Sequence, residues 1–153
     1  MTTFMKYLSV LCMAALPVVE LRGAVPWGVV HDLPLLAVLI VSIVGNMLPV
    51  PFIILFVRKV LAWMKSKSSR LSAIAEKIEQ RGRTKGDILV KYEMLGLFVL
   101  VAIPLPGTGA WTGSLVAAMF DLRLKNAVPA IFFGVVAAGI IMTLVSYGVD
   151  MLI

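Results

Sequence analysis

Three stretches of this sequence are long enough to cross a membrane and contain no charged residue. They are residues 33–57, 94–120 and 126–149, with 25, 27 and 24 residues. A helix needs about 20 apolar residues to cross the roughly 30 Å hydrocarbon core of a bilayer. A fourth uncharged stretch, residues 7–19, has only 13 residues and is too short to cross as a helix. We therefore expect an all-α integral membrane protein.

The composition supports this class and excludes several others. Of the 153 residues, 61% are hydrophobic and 14% are charged, against about 45–50% and 25% in soluble domains. The single cysteine, Cys12, and single histidine, His31, exclude an internal disulfide and any metal site that needs two of either residue. No nucleophile–base pair or phosphate-loop motif is visible, so we expect no enzyme activity and no cofactor.

Positive charge is concentrated between two of these uncharged stretches, residues 33–57 and 94–120. Ten of the 14 Lys and Arg residues lie from Arg58 to Lys91, and only three acidic residues accompany them. Such a segment is typical of a cytoplasmic loop rather than of nucleic-acid binding, because basic residues are retained on the cytoplasmic side during insertion. Apolar residues recur at helical spacing over 58–80, which predicts a basic amphipathic helix that can lie on the inner leaflet.

Proline and glycine interrupt the apolar stretches at three places. The breaks are predicted at Gly23, Pro26 and Gly28, at Pro49 and Pro51, and at Pro104, Pro106, Gly107, Gly109 and Gly113. Backbone groups that a break frees in hydrocarbon are costly unless protein or water satisfies them. We expect the first and third interruptions to be turns of helices that enter the membrane and return, and the second to be a kink.

The basic segment then sets the direction of each element. With residues 58–91 in the cytoplasm, residues 33–57 cross inward, the hairpin within 7–30 opens outside, and the hairpin within 94–120 opens to the cytoplasm. The last stretch crosses outward. The expected fold is one transmembrane domain of two inverted repeats, residues 1–57 and 92–153. Each repeat is a re-entrant hairpin plus a spanning helix, an architecture found in transporters.

The alternative is four plain spanning helices. That arrangement puts Arg123 and Lys125 outside, which the positive-inside rule disfavours. Cysteine-accessibility mapping at positions 31, 85, 123 and 153 separates the two topologies. The hairpins predict 31 and 153 outside with 85 and 123 inside.

Glu20 and Arg22 are the main candidates for a binding site. An ionised group at membrane depth is expensive, so it is usually paired and functional. Arg22 offers a planar fork that suits phosphate, and Glu20 could pair with Arg22 or carry a proton, because a carboxyl group removed from water favours its neutral form. The alternative is a structural bridge. Further candidates for substrate or proton binding are Asn46, Glu93, Thr108 and Thr112.

Three ordered motifs carry a resemblance to a known family. They are Glu20-x-Arg22-Gly23-Ala-x-Pro26-x-Gly28, Gly45-Asn46-x-x-Pro49-x-Pro51 and the segment Ile103–Gly113. With these motifs the sequence resembles the bacterial small multidrug export proteins. That family is similar in turn to the DedA/VTT membrane proteins, which have paired re-entrant hairpins. The resemblance implies a multi-pass protein of the bacterial inner membrane.

The resemblance also implies a function. A secondary transporter or flippase would move an anionic lipid carrier or an amphipathic small molecule, with proton coupling as one source of energy. Its partners would be membrane lipids, the substrate and a second copy of the chain in a homodimer. The alternatives are an exporter of cationic drugs, in which Glu20 or Glu93 binds the cation, and a structural membrane protein without transport activity.

Overall fold

The computed structural model of the protein describes residues 2–83 and 88–150, and every regular element in these two ranges is an α-helix. The helices are α1 (Thr3–Ala15), α2 (Glu20–Val30), α3 (Leu35–Met47), α4 (Val50–Lys67), α5 (Ser69–Arg83), α6 (Ile88–Ala102), α7 (Ala110–Met119) and α8 (Leu124–Asp150). The prediction of an all-α protein is confirmed. Two segments, Leu35–Lys67 and Leu124–Gly148, are long and apolar enough to cross a membrane.

Helices α1 and α2 form a first hairpin, and its turn is Leu16–Val19. Leu16 has an extended backbone with ψ of 141°, as expected for a residue before proline, and Pro17 cannot continue the helix. At the open end of the hairpin, Lys6 Nζ donates a 2.8 Å hydrogen bond to the carbonyl of His31. The beginning of α1 and the end of α2 therefore lie side by side.

The position predicted for this turn is corrected by the structure. Gly23, Pro26 and Gly28 lie inside α2, which is continuous through all three. A Cβ at Gly28 would come within 2.6 Å of a methyl carbon of Val38, so glycine here permits close packing of α2 on α3. Small residues in apolar helices mark such contacts as well as breaks, and this ambiguity explains the misplacement.

Helices α6 and α7 form a second hairpin, whose turn is the non-helical segment Ile103–Gly109. The segment contains four of the five residues predicted to interrupt this stretch: Pro104, Pro106, Gly107 and Gly109. The fifth, Gly113, lies inside α7. A Cβ there would approach a methyl carbon of Val101 to 2.6 Å, so Gly113 allows α7 to pack on α6.

The apolar segment between the hairpins bends at Leu48–Pro49, where α3 gives way to α4. Pro51 lies in the first turn of α4, where its missing N–H is not needed. The amphipathic helix predicted over 58–80 is corrected to the end of α4 and most of α5, because Ser68 is extended. The Ser68 hydroxyl accepts a 3.5 Å hydrogen bond from the N–H of Leu71, a capping contact that starts a new helix.

Contacts at the two ends of the bundle fix which connections lie together. Arg58 of α4 donates a hydrogen bond to the carbonyl of Leu122, and its Nε lies 3.8 Å from Oδ1 of Asp121. At the other end, the Tyr147 hydroxyl donates a 2.8 Å hydrogen bond to the carbonyl of Leu33. The connection between α7 and α8 therefore lies at the end where the basic segment begins, opposite the connection between α2 and α3.

The two halves of the chain have corresponding helix contacts. Helix α1 packs on α2 and α3, as α6 packs on α7 and α8, while α2 contacts α8 and α7 contacts α4. In each half a glycine of the long segment lies against the first helix of the hairpin. A Cβ at Gly45 would come 2.5 Å from the Leu11 carbonyl oxygen, and a Cβ at Gly134 would come 3.0 Å from that of Phe98.

Candidate functional site

The turns of the two hairpins meet at the carboxyl group of Glu20. Glu20 begins α2 in a left-handed backbone conformation, with φ of 49°, and only 3% of its surface is exposed. Its Oε1 accepts a 3.1 Å hydrogen bond from the backbone N–H of Trp111 in the first turn of α7. The N-terminus of a helix favours a carboxylate because its N–H groups are unpaired and the helix dipole is positive there.

Gly109 makes this approach sterically feasible. It is the residue before α7 and its φ is 117°. Because it has no side chain, it gives no capping hydrogen bond to the N-terminus of α7. A Cβ at this position would overlap Oε2 of Glu20. Only glycine therefore satisfies both the backbone conformation and the contact with the carboxylate.

Arg22 contacts the same turn of the second hairpin through a different residue. Its guanidinium donates a 2.7 Å hydrogen bond to the Thr108 hydroxyl. That hydroxyl lies 2.7 Å from the carbonyl oxygen of Ile103 and 2.8 Å from that of Leu105, so its proton can serve either carbonyl. Thr108 thus holds the turn in shape while it accepts from Arg22.

Glu20 and Arg22 do not form an ion pair with each other among the described residues. Each side chain instead bonds to the second hairpin, Glu20 at the start of α7 and Arg22 at Thr108. Pairing with Arg22, one of the two roles predicted for Glu20, is therefore absent from the structure. The physical reason is that residues two apart project in different directions from a helix, and α2 already begins at Glu20.

The indole of Trp111 adds a third hydrogen bond between the hairpins. Its Nε1–H donates at 3.1 Å to the carbonyl of Ala15, the last residue of α1. The last carbonyls of a helix lack partners within it, so Trp111 satisfies one of them inside an apolar protein. Trp111 is not among the site residues predicted from the sequence, although its position directly after a glycine-rich turn was a signal for it.

The remaining candidate residues lie in other environments. The Thr112 hydroxyl donates a 3.0 Å hydrogen bond to the Gly107 carbonyl and so stabilises the turn of the second hairpin. Asn46 is fully buried on α3, and neither polar atom of its side chain has a hydrogen-bond partner among the described residues. Glu93 is half-buried on α6 and lines a separate cavity of about 190 Å³ with Phe120 and Leu122.

An apolar groove lies beside the meeting point of the hairpins. Its volume is about 660 Å³, and Trp111 forms part of its wall. The other lining residues come from α4 and from the proline before it: Pro49, Phe52, Ile53, Leu55, Phe56 and Lys59. Lys59 is the charged residue of this lining. The groove therefore combines a long apolar wall with a positive charge, which suits an amphipathic molecule that carries a negative group.

The long apolar segments and the buried polar contact between short helices define a helical membrane protein. A family model described as "Putative small multi-drug export protein" matches residues 20–141, which is most of the chain. The chain belongs to this family, whose name indicates a membrane protein with a role in transport. The match includes both sides of the contact between Glu20 and Trp111. No curated protein and no solved structure matches the chain.

Proposed function

We propose that this chain is a secondary transporter or flippase of the bacterial inner membrane that moves an anionic lipid carrier or an amphipathic small molecule. The observation that carries the proposal is the buried carboxyl group of Glu20, which lies between two helical hairpins and is 3% exposed. A group of this kind is expensive inside a membrane protein and commonly serves substrate or proton binding. The family's export role agrees with a transport function.

The proposal includes re-entrant hairpins arranged as inverted repeats, as in the DedA/VTT proteins. Helices α2 and α7 have 11 and 10 residues, or about 15–17 Å each, which is too short to cross a core of about 30 Å. The contact between Arg58 and Leu122 supports a second hairpin that returns to the basic side. Arg123 and Lys125 then lie on the cytoplasmic side, as the positive-inside rule favours.

The charges around the groove support this substrate class. Lys59 lines it, and Arg22 lies at the turn of the second hairpin, whose Thr108 it contacts. An arginine guanidinium binds phosphate or carboxylate groups in a bidentate manner. We infer that the tails of an anionic amphipath lie along the apolar wall of the groove while its headgroup is passed between Lys59 and Arg22.

The test uses purified protein in vesicles of phosphatidylethanolamine and phosphatidylglycerol. The probe is phosphatidylglycerol with a fluorescent label on one chain, and dithionite added outside reports its movement between leaflets. Arg22→Gln should slow this movement about tenfold or more, as expected for the loss of a charge-assisted hydrogen bond worth roughly 1.5–3 kcal/mol. Glu20→Gln should have a milder effect, because the amide oxygen can still accept from the N–H of Trp111.

The control is Arg70→Gln, which removes the same charge at an exposed position on α5. It should move the labelled lipid at the wild-type rate. If Arg22→Gln also moves the lipid at the wild-type rate, an anionic substrate is excluded. If every variant is inactive only in proportion to a lower yield of folded protein, a structural role replaces the transport proposal.

A second candidate function is export of cationic compounds. The observation that favours it is the cavity of about 190 Å³ in which Glu93 lies among the apolar side chains of Leu97, Leu100 and Phe120. Such a lining suits an aromatic cation. Ethidium efflux from the same vesicles tests this function. Loss of efflux in Glu93→Gln, with lipid movement unchanged in Arg22→Gln, would select the cation exporter over the lipid flippase.

A further inference from the structure

Three buried side chains in the centre of the bundle carry polar atoms without a hydrogen-bond partner among the described residues. They are Ser42 and Asn46 on α3, each 0% exposed, and Thr143 on α8, 6% exposed. Buried polar groups in proteins are nearly always hydrogen-bonded, to protein or to ordered water. In a helix interface within a membrane protein, such groups bond across helices or line water-filled paths.

The three side chains face one wedge between α2, α3 and α8. Ser42 and Asn46 are four residues apart, so they share a face of α3. On that helix, Val38 contacts Gly28 of α2 and Leu39 contacts Gly139 of α8, and Ser42 is one turn beyond both. Thr143 is one turn beyond Gly139 on α8, so it faces the same wedge. Because α8 runs opposite to α3, Thr143 lies on the Tyr147 side of the contact between Leu39 and Gly139, whereas Ser42 lies on the other side.

The wedge reaches the level of Glu20 at its inner end. Helices α2 and α3 are joined by the short connection after Val30 and touch at Gly28 and Val38. The two helices are therefore antiparallel. Glu20 is eight residues before Gly28 on α2 and Asn46 is eight residues after Val38 on α3, so both lie about 12 Å from this contact in the same direction. The amide of Asn46 thus lies at the depth of the carboxyl group of Glu20.

The outer end of the wedge is marked by Tyr147. This residue is one turn beyond Thr143, and its hydroxyl bonds to the Leu33 carbonyl in the connection between α2 and α3. That end of the bundle also holds the contact of Lys6 with His31. Asn46, Ser42, Thr143 and Tyr147, which we call the polar line, therefore extend from the depth of Glu20 to the end of the bundle opposite the basic segment.

Within each helix, the spacing of the polar line matches bridging by water. Side chains four residues apart on a helix are about 6 Å apart along its axis, which is twice the roughly 2.8 Å length of a hydrogen bond between oxygens. One water molecule can bridge Asn46 and Ser42, and another Thr143 and Tyr147, while a longer chain of water is inferred for the step from Ser42 to Thr143 past the contact of Leu39 with Gly139. A buried water needs two to four polar partners, and the hydroxyl and amide groups of the polar line provide them.

We propose that water molecules along the polar line connect Glu20 to the outer aqueous phase and carry protons between them. In each passage a hydronium ion outside loses a proton, O–H bonds break and form in turn along the line, and the carboxylate of Glu20 becomes a carboxylic acid. The reverse passage returns the proton. The inference rests on the proposed function, because it assigns the side of the membrane from which a transporter's Glu20 exchanges protons.

The charges around Glu20 fit this direction. Arg22 is the charged neighbour on its own helix, and it bonds to Thr108. The helices packed against α2 carry their charges at their ends, Lys6 on α1 and Lys125 and Asp150 on α8, and the intervening parts of α1, α3 and α8 are uncharged. Protons moving along the polar line therefore meet no charged side chain that would retain or repel them before Glu20.

The test measures how fast Glu20 gains a proton after a pH jump on one side of the membrane. Infrared spectroscopy of oriented proteoliposomes follows the carbonyl band of the protonated carboxyl group, assigned to Glu20 by its loss in Glu20→Gln. Acidification on the side that carries Asp32 should raise this band. Combining Ser42→Ala with Thr143→Val keeps the side-chain sizes close to the originals and should slow the rise about tenfold or more, because a dry apolar constriction blocks water and ions.

Ser114→Ala is the matched control. Its hydroxyl is also fully buried, but it donates a 2.6 Å hydrogen bond to the Ala110 carbonyl within α7 and lies off the polar line. It should leave the rate unchanged. Asn46→Leu extends the test to the inner end of the polar line. If Asn46→Leu does not fold, the double variant Ser42→Ala and Thr143→Val decides the test.

The outcomes separate the two proposals. An unchanged rate in the Ser42→Ala and Thr143→Val pair, or a faster response to acid on the side of Arg123, overturns the outer route while Glu20 remains a proton carrier. A Glu20 band that never responds to pH overturns both the route and the proton role of Glu20. Transport of labelled phosphatidylglycerol is measured separately, so its loss or retention reports on the proposed function alone.

Discussion

The carboxyl group of Glu20 occupies the space into which a side chain at Gly109 would project. Gly109 precedes α7 and cannot cap it, and Glu20 of the other hairpin provides the missing acceptor to the N–H of Trp111. One hairpin therefore supplies the N-terminal cap of the other. This arrangement couples the two halves of the chain at the turns of their hairpins, where the helices of both halves are interrupted.

Gly109→Ala should destabilise the protein by about 1–3 kcal/mol from backbone strain alone, with a further loss from the overlap with Glu20. The physical reason is the combination of a φ of 117° and an occupied space. The measurement is the midpoint of thermal unfolding in detergent. Gly107→Ala is the matched control, because Gly107 also has a positive φ but open space around its Cα. Equal losses in the two variants would contradict the importance of the Glu20 contact.

Trp111→Phe should cost about 1 kcal/mol of stability, because phenylalanine keeps an aromatic ring, though a smaller one, but removes the hydrogen bond to the Ala15 carbonyl. Thermal unfolding again gives the measurement. Trp63→Phe makes the same change on an exposed part of α4 and should be close to neutral. If the two substitutions shift the unfolding midpoint equally, the hydrogen bond from the Trp111 indole to the Ala15 carbonyl is not important for stability.

Gly45→Ala and Gly134→Ala should each destabilise the protein by roughly 1–3 kcal/mol, the usual cost of overpacking. Each glycine lies against the backbone of the first helix of a hairpin, at Leu11 and Phe98 respectively. Gly96→Ala serves as control. Its surroundings are open, and alanine is favoured over glycine within a helix by about 0.5–1 kcal/mol, so this variant should gain stability. Neutral behaviour at Gly45 or Gly134 would mean that these helices are not in close contact.

Cysteine labelling in a Cys12→Ala background tests the proposed topology. Asp32→Cys should react with a membrane-impermeant maleimide added outside intact cells, whereas Lys67→Cys and Arg123→Cys should react only after permeabilisation. The three positions are exposed, so access to the reagent depends on the side of the membrane. Labelling of Arg123→Cys from outside would establish plain spanning helices in place of hairpins. Positions 85 and 153, also suited to this mapping, lie outside the described residues.

The sequence predicted those parts of the fold that follow from local chemistry. Pro104 and Pro106 beside Gly107 leave no regular helix, and the structure has none there. Gly23 and Gly28 carry the same local signal but pack inside α2. The glycines inside α2 differ from those in the turn by the residue packed against them, since Val38 of α3 occupies the space beside Gly28. A contact between distant segments has no signature in either segment alone.

In the candidate site, too, some features were predictable from the sequence and others depended on contacts between distant segments. Glu20 and Arg22 were predictable because an ionisable pair in an apolar sequence is rare and expensive. Their partners were less so, because Trp111 binds Glu20 through its backbone and Ala15 through its indole. Ser68 is a further example. It interrupts a sequence with continuous helical periodicity, and only its capping bond to Leu71 reveals where α5 begins.

Two of the three hydrogen bonds between the hairpins have a main-chain atom as one partner, the N–H of Trp111 and the carbonyl of Ala15. No substitution can alter a peptide group to compensate for a change at Glu20. Among related sequences, Glu20 is therefore expected to be retained together with Gly109, whose space its carboxyl group occupies. Arg22 and Thr108, which meet through their side chains, are the pair in which correlated replacement should be visible.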